Sequence, residues 1–224
     1  NLAWQAPGKQ LMQDGLNNLE YCARTHADSV ITGRPIDADL VKEFNPDLLV
    51  WSTGAVQNIP QIEGLETQNR MTSIEYFSGQ KTVNGPRVLV IGAGRSGLEI
   101  AEKLGQEGLE VIATKRTDPI GSMMEMITKK LTLMRIDQLE SVRLMPRTTV
   151  KSFGKEDVTL EKDGESVVVE PFQTVILASG MISSPGPDEE IQRAVSALEV
   201  IGDAAAVMDI YTAVHAGYEL ALKY

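Results

Sequence analysis

Cysteine is almost absent from this chain of 224 residues: Cys22 stands alone, so no internal disulfide can form. That fits a reducing, cytoplasmic setting, and the helical pattern around it (GLNNLEYCARTHADS) predicts a buried helix residue rather than a reactive thiol. Histidine is nearly as scarce. His26 and His215 lie far apart, with no cysteines at metal-ligand spacing, which argues against a zinc site. No apolar run approaches the roughly 18 residues that would cross a bilayer, and the opening residues lack the basic-then-apolar layout of a secretory signal. Basic residues are outnumbered, 21 Lys and Arg against 31 Asp and Glu, for a formal net charge of -10. With no cluster of cations to offset that charge, a nucleic-acid surface is excluded. Tandem repeats and low-complexity segments are missing too.

What remains is ordinary soluble composition, 42% hydrophobic and 23% charged, enough for one large or two small domains. Short β-rich runs alternate with amphipathic helical runs, a rhythm that predicts an α/β fold with a mostly parallel sheet. The expected elements begin with a helix over 9–24, a short strand over 28–32 (DSVIT), a helix over 36–44 and a buried strand over 47–53. Ile59 to Gly64 reads as an extended connection, and a domain crossover is expected to end near Asn84-Gly85-Pro86. Then come a strand over 87–91, a helix over 95–106, a strand over 110–114, a Met-rich helix over 123–139 and a strand over 142–145. Three alternating runs, 149–153, 158–161 and 166–170, predict an antiparallel meander with a turn at Asp163-Gly164. An apolar strand over 174–178 closes this block at Gly180. A strand over 198–201, the turn Gly202-Asp203 and a helix over 209–223 end the chain. The expected division is residues 84–180 as one domain and 1–83 with 181–224 as the other.

The stretch RVLVIGAGRSG places Gly92, Gly94 and Gly97 at the spacing G-x-G-x-x-G, directly after an apolar strand and directly before an amphipathic helix. The first glycine permits a tight turn, the second lets backbone approach a pyrophosphate, and the third lets helix pack on strand. The helix N-terminus at Arg95, Ser96 and Gly97 then offers N–H groups and partial positive charge to the phosphates. Arg95 either adds to that grip or is solvated. At the end of the second strand, an acid would grip the ribose hydroxyls of NAD. Here Lys115-Arg116 stand instead, a pair suited to the 2′-phosphate of NADP. NADP(H) is the expected nucleotide, with NAD(H) the alternative. LLVWSTGA and VILASGM both end a buried strand in small-x-Gly, at Gly54 and Gly180, which suggests two related nucleotide-binding folds. Met123, Met124, Met126 and Met134 have roughly helical spacing and read as core or interface filler.

The set STG (Ser52 to Gly54), IGAGRSGLE (Ile91 to Glu99), LASG (Leu177 to Gly180) and IGDAA (Ile201 to Ala205) resembles the flavoprotein reductases with two dinucleotide-binding domains. The opening NLAWQAPGK is similar to the C-terminal module of the 2,4-dienoyl-CoA reductase, 2-enoate reductase and trimethylamine dehydrogenase family, Old Yellow Enzyme-like proteins. The resemblance covers essentially the whole chain and is specific for the module, not for a substrate. It implies a Rossmann-like NAD(P)-binding domain, with a parallel sheet and a β meander, inserted in a partial FAD-binding domain of the glutathione reductase type. It also implies hydride transfer from NADPH to FAD. By the resemblance, Gly202 and Asp203 bind the ribityl part of FAD and Thr53-Gly54 pass near it. Glu99 faces the cofactor in such reductases or is a plain helix residue. The family's first glycine-rich strand-turn-helix, its TIM barrel with FMN and its 4Fe–4S cysteines have no counterpart here, so the chain is expected to be part of a longer enzyme. Its expected partner is the N-terminal TIM barrel of that parent, with homo-oligomerisation open. The alternative reading is a nucleotide-binding structural module without turnover. A relative of thioredoxin reductase is disfavoured by the absence of a Cys-x-x-Cys pair.

Overall fold

The structure, a computed structural model, describes residues 2–224; Asn1, the first residue of NLAWQAPGK, lies outside them. In chain order the elements are α1 (Met12–His26), α2 (Ala38–Phe44), β1 (Leu49–Trp51), β2 (Ala55–Gln57), β3 (Arg70–Thr72) and α3 (Ser73–Phe77). There follow β4 (Arg87–Ile91), α4 (Arg95–Gln106), β5 (Glu110–Thr114), α5 (Met126–Asp137) and β6 (Val142–Met145). The rest are β7 (Thr148–Phe153), β8 (Val158–Lys162), β9 (Glu165–Val169), β10 (Thr174–Leu177), β11 (Met181–Ser183), α6 (Glu189–Arg193), β12 (Leu198–Val200) and α7 (Ile210–Lys223). None of the described helices is long and apolar enough to cross a membrane.

Two units divide the chain. The first joins the described part of Asn1–Cys22 to Ile59–Gly180, and the second joins Ala23–Asn58 to Met181–Tyr224. The sheet of the first unit is parallel throughout, in the order β3-β10-β4-β5-β6. Its central strands are continuous apolar runs because both faces are covered. Successive side chains of a strand point to opposite faces, and the packing follows that alternation. Val88 and Val90 of β4, with Val111 and Ala113 of β5, share a cluster with Leu98, Ala101 and Leu104 of α4. Leu89 and Ile91, with Ile112, share the opposite cluster with Val150, Phe153, Val158 and Leu160 of the β7–β8–β9 meander. The meander turns at Asp163-Gly164, where both residues have positive φ (54° and 86°), the geometry of a two-residue hairpin.

Glu102 of α4 is buried to 1% exposure yet is not isolated. Arg135 of α5 donates Nη2 to its Oε2 at 3.0 Å, and Gln106 donates Nε2 to Oε1 at 3.2 Å. The carboxylate in turn holds the Arg135 guanidinium above its usual range. A polar clamp thus joins the two helices on this side of the sheet.

The second unit is built from smaller pieces. β1 pairs parallel with β12, β2 pairs antiparallel with β11, and the buried cluster consists of Ala38, Val41, Trp51, Ile191 and Ala204. Trp51 donates its indole N–H to the Pro185 carbonyl at 3.3 Å. Asp209 caps α7 by accepting the Thr212 N–H at 2.8 Å.

Two expectations fail. Residues 28–32 form no strand: Val30 and Ile31 are 48% and 53% exposed, so apolar, β-branched composition here gains no burial that would fix an extended conformation. Residues 59–83 are not a plain connection, because β3 forms the edge of the five-stranded sheet on β10 and Thr72 and Glu75 cap α3 reciprocally. The first unit accordingly extends beyond the expected 84–180, on the strength of main-chain pairing with that sheet.

Candidate functional site

β4 leads straight into the glycine turn and α4. Gly92 has φ 114°, and a Cβ there would stand 2.2 Å from the Ala178 carbonyl oxygen just beyond β10. Its N–H donates to the Thr114 carbonyl at 3.0 Å, tying the turn to the end of β5. A Cβ on Gly97 would stand 1.7 Å from the Gly92 carbonyl oxygen, so any larger residue would push α4 off the turn. Gly94 differs from both: a Cβ there meets nothing within 4 Å. Packing therefore requires the first and third glycines, while the second borders open space, the position at which a ligand's approach would require a bare backbone. Gly94 is also the N-cap of α4, with no side chain capping the helix and no acid in its first turn. N–H groups and helix dipole are left available for an anion.

The C-terminal ends of three adjacent strands converge here. Leu177 of β10 pairs with Ile91 of β4, and Ile91 with Thr114 of β5. Gly180, the glycine turn and Lys115-Arg116 thus follow neighbouring strand ends, the place where open parallel α/β sheets bind ligands. Lys115 is fixed by its backbone: its N–H donates to the Met145 carbonyl at 2.9 Å and its carbonyl accepts from the Thr148 N–H at 2.8 Å. Neither Lys115 nor Arg116 has an ion-pair partner among the described residues. Arg95 donates Nη2 to the Met123 carbonyl at 3.1 Å, and the Gly121 N–H donates to the Ala93 carbonyl at 3.0 Å. The loop after β5 is therefore laced back onto the glycine turn.

Glu99, in the first turns of α4, is paired with Lys9, the two side chains being 10% and 22% exposed. Lys9 was not singled out by sequence reasoning. A separation of 90 residues hides the pair, and its only trace is that both residues fall inside segments that carry the family resemblance.

In the second unit, Thr53-Gly54 and Gly202-Asp203 follow the ends of the paired strands β1 and β12, where Trp51 lies opposite Val200. Gly54 and Gly202 both have positive φ (78° and 61°), and the space around a Cβ on Gly54 is empty to 4 Å. Asp203 Oδ1 accepts the Met208 N–H at 3.1 Å. The strand pairing sets these four residues just after neighbouring strand ends.

Other candidates fall away. Of the four methionines only Met124 packs against the core; Met123, Met126 and Met134 are exposed, so they are not core filler in this chain. Cys22 is half-buried in α1 rather than fully buried. His215 stacks on Tyr211 with ring centroids 4.0 Å apart. Among the described residues no group of His, Cys, Asp and Glu could hold a metal ion.

A family profile of pyridine nucleotide-disulphide oxidoreductases matches residues 8–217. The fold and this match define an α/β oxidoreductase module, of a family whose description implies FAD and NAD(P)H as cofactors. The chain belongs to the pyridine nucleotide-disulphide oxidoreductase family. It is 28% identical over 220 residues to a bilirubin reductase of Mediterraneibacter gnavus, covering 97% of this chain and 34% of that one. An NADH oxidase of Thermoanaerobacter brockii is 25% identical over 226 residues, with 98% and 34% covered. A cinnamate reductase of Clostridium sporogenes is 26% identical over 189 residues, with 81% and 27% covered. The chain thus spans about a third of these relatives' length or less. In fold it superposes on a 2-naphthoyl-CoA reductase with TM-score 0.88 at 21% identity, covering 100% of this chain and 34% of that one. It also superposes on a histamine dehydrogenase of a Rhizobium species with TM-score 0.82 at 16% identity, covering 98% and 37%. At these identities both neighbours show the fold alone, in keeping with the expected glutathione reductase-like architecture.

Proposed function

We propose that this chain is the NAD(P)H-binding portion of a multidomain, cytoplasmic flavin-dependent oxidoreductase of the enoate or 2,4-dienoyl-CoA reductase type, serving hydride transfer from NADPH to FAD. The observation that carries the reading is the contrast within the glycine turn. Gly92 and Gly97 are demanded by packing and Gly94 by none of the described residues, beside two cations that have no ion-pair partner among them at the adjacent strand end. When bound, the nicotinamide supplies a hydride and the flavin accepts it, the chemistry belonging to the cofactors. The protein's share is to orient them. The turn at Gly94 and the α4 N-terminus hold the pyrophosphate, and Lys115 with Arg116 reads the 2′-phosphate. Lys9 and Glu99 fix a charged pair beside the turn, and Thr53, Gly54, Gly202 and Asp203 line the flavin side. FMN and a 4Fe–4S cluster belong, in this reading, to an N-terminal TIM barrel of the parent enzyme, which then reduces an activated carbon–carbon double bond. Homo-oligomerisation is part of the same proposal.

The Thermoanaerobacter brockii relative is named an NADH oxidase; for this chain NADP(H) is read from its own Lys115–Arg116 pair. Anaerobic addition of NADPH to the longer parent protein tests the redox role. Bleaching of the flavin's visible absorption is expected. A flavin that stays oxidised while NADPH demonstrably binds would leave only the nucleotide-holding module.

A further inference from the structure

Charged residues gather where β5, β6 and the meander end in the first unit: Lys115, Arg116 and Asp118 after β5, Arg147 between β6 and β7, and Lys162 and Asp163 at the hairpin turn. Arg147, between β6 and β7, sits in the left-handed backbone region with φ 48°. Its guanidinium donates Nη1 to Asp118 Oδ2 at 2.7 Å and Nε to Asp163 Oδ1 of the hairpin turn. Asp163 holds the guanidinium above its usual range, and Arg147 in turn holds the Asp163 carboxyl below the ordinary carboxylate value. The loop from Lys115 to Glu125 contains two acids, and both are engaged. Asp118 is taken by Arg147. Glu125 accepts the N–H groups of Ile127 and Thr128 at 2.9 Å each, as the cap of α5.

The cations divide the opposite way. Arg147 has two carboxylates, whereas Lys115 and Arg116, in the same loop as Asp118, have no ion-pair partner among the described residues. Backbone bonds hold that arrangement in register: Lys115 is bonded to Met145 and to Thr148, residues that flank Arg147 on either side. In a chain with net charge -10, Lys115 and Arg116 stay without ion pairs among the described residues while Asp118, in the same loop, is paired from the neighbouring turn.

We propose that Arg147 is a specificity-determining positioning residue, which neutralises Asp118 and so keeps the Lys115–Arg116 corner receptive to the 2′-phosphate of NADP(H). It acts without touching the nucleotide, and the inference rests on the assignment of that corner to the nucleotide ribose. Released from Arg147, Asp118 would place a negative charge in the same loop as the two cations and oppose a 2′-phosphate while leaving a plain ribose nearly unaffected.

The test uses the full chain, titrated calorimetrically with NADPH and with NADH, and the variant Arg147→Asn, because asparagine tolerates left-handed backbone. NADPH affinity is expected to fall about five- to tenfold, the effect of one added charge near a dianion under weak screening. NADH affinity should change less than twofold. Adding Asp118→Asn to that variant should return NADPH affinity to within about twofold of the starting protein, a rescue that a merely structural brace would not give. Equal weakening of both nucleotides, or no rescue, overturns the proposal. Starting protein that binds both nucleotides alike removes the ribose assignment and this proposal together. A starting preference for NADPH that Arg147→Asn leaves undiminished removes the proposal alone. Should Arg147→Asn fail to fold, Asp118→Asn alone decides: removing the loop's negative charge, with Arg147 still held by Asp163, should raise NADPH affinity about two- to threefold, and an unchanged affinity overturns the idea.

Discussion

The first unit encloses a five-stranded sheet between α4 and a meander, whereas the second has two separate two-stranded sheets and a cluster of five buried residues. Both carry glycines with positive φ at the ends of parallel strands. The difference lies in what supports them. In the first unit the glycine turn is wedged between backbone atoms of β10 and α4, so the site's geometry is set by dense packing on rigid elements. In the second, Gly54 borders open space and α7 buries no residue completely. The glycine turn is thus pre-shaped by its own unit, and Thr53, Gly54, Gly202 and Asp203 are held by a much smaller core.

The severest way to break that comparison is Gly97→Ala. The clash is with a backbone carbonyl that no rotamer change can relieve, so a loss of about 3–5 kcal/mol is expected, in the range of mutations that disrupt a core. A thermal melt by circular dichroism should show the first transition collapse, with nucleotide binding abolished. The mirror experiment strikes the second unit. Trp51→Ala removes the largest side chain of a five-residue cluster and should cost about 3 kcal/mol there. Hydrogen exchange should then find amides of β1 and β12 unprotected while β4 and β5 stay protected. Loss of protection in both units at once would show that their stabilities are not separable.

Gly94→Ala sharpens the contrast within one turn. A methyl group meets no protein atom and φ is -79°, so stability should change by less than about 1 kcal/mol. Nucleotide affinity should nonetheless fall by about tenfold or more, because the backbone can no longer reach the pyrophosphate. Unchanged affinity in a well-folded Gly94→Ala protein would remove the turn as the phosphate site.

The smallest effect concerns the α3 cap. Lys81 first, then the Thr72 N–H, hold the Glu75 carboxyl below its ordinary value. A depressed carboxylate stabilises the folded state above the unfolded pKa, and that contribution is lost as pH falls through the folded value. Glu75→Gln should therefore cost roughly 0.5 kcal/mol at neutral pH and nothing once the medium is acidic enough to protonate Glu75 in both states. A difference in melting temperature that persists unchanged at low pH would contradict this account of the cap.

How much of this was legible in the chain follows the same division. β4, α4, β5 and β10 were readable because burial on both faces writes continuous apolar runs, and a G-x-G-x-x-G spacing between strand and helix has one common physical solution. The hairpin at Asp163-Gly164 was readable for a similar reason, since few residue pairs adopt positive φ together. β3 was not, because three residues with one buried side chain, Met71, carry no period to detect. The capping box Thr-x-x-Glu at Thr72 was the available signal. DSVIT failed in the opposite direction: β-branched residues predicted a strand where exposure leaves them with no face to bury. At the site, the residues were legible but their partners were not. Lys9 with Glu99, and Arg147 with Asp118, are separated by 90 and 29 residues, and only the folded chain joins them.

The central claim, that the corner after β5 selects the phosphorylated nucleotide, is tested most directly by titrating the chain and the double variant Lys115→Glu with Arg116→Ser against NADPH and NADH. A charge-assisted contact to the 2′-phosphate is worth about 1.5–3 kcal/mol, roughly 10- to 150-fold in affinity. The starting chain should prefer NADPH by such a factor, and the double variant should lose or invert that preference. Equal affinity for both nucleotides in the starting chain, or a preference for NADPH that survives the charge reversal, would contradict the account.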